Sequence, residues 1–216
     1  MKFLLIPIFI FFNFNLFAQL HFQFCWGTEP IVNSKKYVLN EKDSISFSEL
    51  KLYLSNFIIK SKDVALEINE IDLIENDNEE SKIILDSIQV TNFNTLIFTF
   101  GLDSSTNTSG ILTEDLDPVN GMYWAWNSGY IHLRMIGNSS IINTSKELFQ
   151  YHLGGYRNPN QTNFPVSVSI KGNILKFDLK PIFTNHIQLD KKNNLMIPGK
   201  EAHEISKFAA SLFSTE

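Results

Sequence analysis

One cysteine is all this sequence contains, and Cys25 alone cannot close a disulfide within the chain. A chain without that staple must hold itself together by its core. Basic charge is also short: 18 Lys and Arg stand against 23 Asp and Glu, a formal net charge of -5. Nucleic-acid affinity comes from neutralised phosphates, so this balance gives no electrostatic reason to bind one. No G-x-G-x-x-G follows a strand and no P-loop occurs, which removes the usual phosphate cradles. The G-x-S-x-G elbow is missing, and nothing in the spacing of Ser and His pairs a nucleophile with a base. The five histidines form neither H-x-x-x-H nor H-x-H. The EF-hand order of ligands is absent as well. The chain is therefore expected to bind something rather than to catalyse a reaction.

What is present starts with an address. Met1-Lys2 gives a positive start, Phe3 to Phe12 is apolar apart from Pro7, and Leu16-Phe17-Ala18 offers a small residue at a cut before Gln19. This is the pattern of a secretory signal peptide over residues 1–18, too short to span a bilayer. Cys25 lies too far from Ala18, with no small residue before it, to be a lipoprotein cysteine. The mature chain, residues 19–216, is expected to be periplasmic or secreted, with no membrane span after cleavage. Loss of Lys2 makes its formal charge -6.

The rest reads as one β-rich domain. Period-two alternation marks strands at Leu20–Trp26, Ser44–Phe47, Glu49–Lys60, Asn94–Leu102, Tyr130–Ile136 and Glu147–Leu153. Ser55-Asn56 reads as a bulge. Two short strands are expected within Val64–Ile74, a charged loop over Glu75–Glu80 and short apolar steps at Lys82–Leu85 and Gln89-Val90. Lys171-Gly172-Asn173 between two alternating runs predicts a hairpin. Ala202, Ile205, Phe208, Ala209 and Leu212 recur at helical spacing, so one amphipathic helix is expected within Lys200–Phe213. The sum is an all-β, antiparallel β-sandwich-like domain with long loops and one C-terminal helix.

Residues that could bear chemistry gather between Gly101 and Gly155. Asp103, Asp115 and Asp117 offer oxygens to a hard cation, although such residues more often brace turns. His132 and His152 each lie in a strand beside a tyrosine; a buried histidine bonded to a carbonyl is the ordinary reading of either, and a metal ligand the sharper one. His203 falls off the helix stripe and is expected to face solvent, and His186 sits in a polar loop or edge. Trp124 and Trp126 share one side of an extended segment, as core, as a lid, or as a platform for a sugar or other flat ligand. Met122 shares that side, and a thioether beside imidazole suits Cu(I).

A series of pieces occurs in order: Tyr53-Leu54-Ser55-Asn56, Phe100-Gly101-Leu102-Asp103-Ser104, Leu116-Asp117-Pro118, Gly121-Met122-Tyr123-Trp124-Ala125-Trp126, Ser128-Gly129-Tyr130-Ile131, Phe149-Gln150-Tyr151-His152-Leu153-Gly154-Gly155 and Met196-Ile197-Pro198-Gly199-Lys200-Glu201-Ala202. This series resembles the MbnP-like copper-binding family of exported bacterial proteins. The resemblance implies a β-rich fold, export, and a mononuclear copper site built from two histidines and a tryptophan oxidised to kynurenine. A dihaem peroxidase-like partner would perform that oxidation. His152 matches the family's histidine-glycine piece, and Trp124 and Trp126 match its paired tryptophans. The loop Thr106-Asn107-Thr108-Ser109 holds no histidine where copper-binding relatives place one. The second ligand is open between His132 and His21, with Met122 or a tryptophan completing or shielding the site. The expected function is copper acquisition or handling. The alternative is a metal-free interaction module that uses the Trp124 and Trp126 face.

Overall fold

The computed structural model describes residues 20–76, 82–85, 93–127 and 129–216, with backbone only for 82–85. The signal segment, Gln89-Val90 and most of the charged loop after Glu75 lie outside the described residues. Alternating apolar side chains put most of the chain into strands, since only a pleated segment can present such a pattern as one apolar face. In chain order these are β1 Leu20–Trp26, β2 Glu29–Pro30, β3 Tyr37–Val38, β4 Ser44–Lys60, β5 Ala65–Glu75, β6 Lys82–Leu85, β7 Thr95–Phe100, β8 Tyr123–Trp124, β9 Gly129–Ser139, β10 Leu148–Gly154, β11 Phe164–Ser169, β12 Ile174–Asp178, β13 Asn194–Leu195 and β14 Phe213–Thr215. Three α-helices join them among the described residues, α1 Ser104–Thr108, α2 Lys180–Asn185 and α3 Lys200–Ala209, with short 3-10 turns at Glu114–Leu116 and Pro118–Asn120.

The strands form a five-stranded and a nine-stranded sheet. The smaller runs β14-β12-β1-β2, with β6 also on β1; the larger runs β11-β7-β4-β9-β10-β13, with β3 and β5 also on β4 and β8 on β9. Pairing is antiparallel except for β1 with β12 and β10 with β13, which are parallel. Aromatic side chains fill the space between the sheets. Phe98 of the larger sheet meets Phe213 of the smaller edge-on at 5.0 Å, and Phe177 stacks on Phe213 at 4.5 Å. A buried phenylalanine removes a large apolar area from water, and this core stands where secreted proteins often use disulfides.

β4 is the spine of the larger sheet. β5 covers one of its edges from Lys51 to Lys60. The other edge is shared: β9 pairs with it as far as Leu52, and β7 from Leu54 onward. The sheet therefore forks at Tyr53, where the end of β7 and the start of β9 must pass each other. Asn56 adopts a positive φ of 55° at a register shift, the bulge that Ser55-Asn56 announces.

Several expectations change. Val64–Ile74 is a single strand, β5, rather than two, because it pairs along nearly its whole length with β4. Lys171-Gly172-Asn173 does not make a hairpin: β11 pairs with β7 in the larger sheet and β12 with β1 and β14 in the smaller. The turn carries the chain between sheets, a choice the local sequence cannot distinguish from a return. α3 stops at Ala209, short of Phe213, because Phe213 enters β14 and stacks on Phe177. Ala202, Ile205 and Ala209 are buried, so the expected helix stripe is the packed face.

Candidate functional site

The segment from Gly101 to Asn127 folds back over the outer face of the larger sheet, where a second apolar cluster forms. Tyr53, Leu102, Leu116, Met122, Trp124, Tyr130 and Ile131 make up most of it. Aspartates fasten this cover. Asp103 caps α1, accepting from the Thr106 backbone N–H at 2.7 Å. Asp117 accepts from Val119 N–H at 2.8 Å, and Asp115 from the Leu73 N–H of β5 at 2.6 Å. The hydroxyls of Tyr53 and Tyr130 donate to the carbonyls of Asp115 and Leu116 at 2.7 and 3.0 Å. The carboxylates of Asp103 and Asp117 brace turns, and that of Asp115 ties the cover to β5. No group of three or more His, Cys, Asp or Glu gathers in metal-binding geometry among the described residues.

His132 sits at the fork and has no exposed surface. Between Leu133, opposite Leu153, and Ile131, opposite Gly154, it is the extra residue of a bulge. The bulge reverses the alternation of β9, so Ile131 joins the outer cluster with Tyr130 rather than following Leu133 and Met135 inward. Gly101 makes room for the ring: a Cβ there would stand 2.5 Å from His132 Nδ1. Both ring nitrogens are engaged, Nε2 with Asn107 Nδ2 at 3.1 Å and Nδ1 with Thr162 Oγ1 at 2.9 Å. The Tyr130 N–H donates to Asn107 Oδ1 at 3.1 Å, which turns the amide NH2 toward the ring. Nε2 is then the acceptor, and Nδ1–H donates to Thr162 Oγ1, whose own proton reaches the Gly155 carbonyl at 3.2 Å. Burial pushes the His132 pKa down to about 4. The residue ties β9, α1 and the loop after β10 together.

His152 differs. It lies opposite Arg134 across the β9–β10 ladder, and its Nε2 is buried with no hydrogen-bond partner among the described residues. Burial, and then the Arg134 charge, lower its pKa to about 4, so the imidazole is neutral and Nε2 has a lone pair at neutral pH whenever Nδ1 holds the proton. Arg134 is itself spoken for: it donates to the Gly121 carbonyl at 2.6 Å and pairs with Glu49 at 3.1 Å. Two residues along the same face of β10, Gly154 lies under the Trp124 ring, where a Cβ would come within 2.9 Å of the indole.

Trp124 is buried and Trp126 is 64% exposed, their rings 5.5 Å apart. Met122 is wholly buried in the outer cluster. His21 lies in β1 of the smaller sheet and pairs there with Ile174 and Ile83. The structure thus brings His152, Trp124, Trp126 and Met122 to one region, holds His132 beside it as a clamp, and leaves His21 on the other sheet. His203 is half-buried rather than solvent-facing: its Nδ1 contacts the Gln161 carbonyl at 2.6 Å and its ring meets Phe164 edge-on. His186 is exposed at the end of α2. Asn107 and Thr162 escaped sequence reasoning. The Asp103-Ser-Ser-Thr start of α1 is a capping signal that would have placed Asn107 on a helix; nothing local marks Thr162.

The sequence matches the MbnP family over residues 16–197. Among solved structures, MbnP from Methylosinus trichosporium is similar, with a TM-score of 0.56, 14% identity, and coverage of 77% of this chain and 76% of that one. No curated protein sequence matches.

Proposed function

The chain belongs to the MbnP family, and from that premise we propose that it is an exported copper-binding protein whose metal sits on the outer face of the larger sheet, held by His152 beside the tryptophan pair. One observation carries this reading: the partnerless, buried Nε2 of His152. An orphaned buried nitrogen is costly unless something occupies it, and a neutral imidazole is a good copper ligand. The neutral imidazole of His152, with its unpartnered nitrogen, fits a copper ion. His132 does not, since both of its nitrogens are engaged, and neither does His21, on the other sheet. When bound, copper would supply a redox-active cation. The chain's own part is to fix the His152 ring on a strand, to neutralise Arg134 with Glu49 so that a cation is tolerated nearby, and to roof the site with Trp124.

In this reading the protein binds and delivers metal rather than catalysing. A dihaem peroxidase-like oxidase would be a partner, and Trp126, the exposed member of the tilted ring pair, is the ring it would reach first. Export through the leader 1–18 places the protein in the periplasm or outside the cell. The test is to load purified protein with Cu(I), dialyse, and measure retained metal. Wild type and His132→Gln should retain copper and His152→Ala should lose it. Equal retention by wild type and His152→Ala would remove the proposed ligand. Mass spectrometry of protein from its native host, on the peptide holding Trp124 and Trp126, reads whether kynurenine is formed.

A further inference from the structure

We propose that a polar cavity next to the tryptophan pair is a second, metal-independent site that takes an acidic sugar. The cavity, about 190 Å³, lies between the loop after β10 and the Pro198-Gly199 turn before α3, with Asn127 on its lip. That is below the size of a drug-like pocket and suits a single ring. Its polar lining residues are Asn127, Asn158, Asn160, Tyr156 and Arg157.

Three features set the ligand class. The amides of Asn127, Asn158 and Asn160 make no hydrogen bond to the described residues, so each keeps a donor and an acceptor for a guest. Paired donors and acceptors at close quarters match adjacent hydroxyls. Next, Arg157 lies over the Tyr156 ring at 5.4 Å and donates to the Tyr156 hydroxyl at 3.3 Å, with no ion-pair partner among the described residues. A stacked guanidinium with spare N–H groups is pre-organised for a carboxylate. No acidic side chain lines the cavity, and in a chain of net charge -5 that absence favours an anion. Finally, Trp126 is the chain neighbour of the lining residue Asn127 and is 64% exposed, a flat apolar surface one residue from the cavity, of the kind that packs against the C–H face of a sugar ring. Hydroxyls, one carboxylate and a ring face describe a uronic acid.

The experiment titrates the purified, metal-free protein with glucuronate, following tryptophan fluorescence and heat, with glucose as the uncharged control. Glucuronate should bind and quench, glucose should bind at least tenfold more weakly, and Arg157→Gln should reduce glucuronate affinity by about tenfold or more, as expected for loss of a charge-assisted pair. Arg157 is exposed, so the variant should fold, and its Cu(I) retention should equal that of wild type. Absence of glucuronate binding overturns the site. Equal affinity for glucose, or for Arg157→Gln, overturns the acidic-sugar assignment. Because copper retention is read separately through His152, failure here leaves the copper reading standing, and the reverse holds.

Discussion

The His132 ring and Gly101 occupy adjoining space at the fork of the larger sheet, and replacing Gly101 with alanine should reveal how much stability rests on that fit. Gly101 has φ of 85°, and its Cβ would stand 2.5 Å from His132 Nδ1 and 2.7 Å from Cγ. Two costs add. A non-glycine residue in the left-handed region costs about 1–2 kcal/mol. Forcing a methyl group against a buried ring costs about 1–3 kcal/mol more. Gly101→Ala should therefore lose about 2–5 kcal/mol, a fall in Tm of several degrees or more for a chain of this length. His132→Ala should by itself lose about 2–4 kcal/mol, since it leaves a cavity in a fully buried site and removes the ring's hydrogen bonds with Asn107 and Thr162. The two losses should not add. With the ring gone, the contacts at 2.5 and 2.7 Å vanish and the backbone cost remains with one tight contact to the Cβ at position 132, leaving a coupling of about 1–3 kcal/mol in the double-mutant cycle. Urea unfolding of the four proteins measures it. Strict additivity would refute the fit of ring to glycine, because residues that do not touch do not couple.

The clamp also predicts a pH dependence. The His132 pKa is about 4 in the folded protein against about 6.5 in the unfolded chain, so the unfolded state takes up the proton first. Stability from this residue is complete above pH 6.5, declines as pH falls toward 4 and is flat below, by about 3 kcal/mol in all. Because His152 contributes a slope of the same sign, the diagnostic quantity is the difference between wild type and His132→Gln; identical slopes would sink the assignment. Cys25 is wholly buried and burial pushes its thiol up to about 11, so Ellman's reagent should label it only as fast as the protein unfolds. Stoichiometric labelling within the mixing time under native conditions would show the core at β1 to be open.

Much of this protein is written locally. Alternation in Leu50-Lys51-Leu52-Tyr53-Leu54 fixes a strand with Tyr53 turned away from the leucines, because a pleated backbone leaves side chains no other arrangement, and the structure puts Tyr53 in the outer cluster and the leucines in the inner core. The spacing of Ala202, Ile205 and Ala209 fixes a helix face in the same way. The order of glycine, tryptophan and histidine pieces was enough to point to the family. What the sequence could not decide is where strands go once formed. The turn at Gly172 is equally good for a return or for a change of sheet, and only the parallel pairing of β12 with β1 chose the latter. The role of each histidine was likewise tertiary. His132 and His152 look alike as letters, each in a strand beside a tyrosine. A bulge, the glycine that follows β7, an amide from α1 and a hydroxyl from the loop after β10 close around the first, while Arg134 faces the second across the ladder. Those partners lie far away along the chain, and a nitrogen is spent or spare according to what the fold brings within hydrogen-bonding reach.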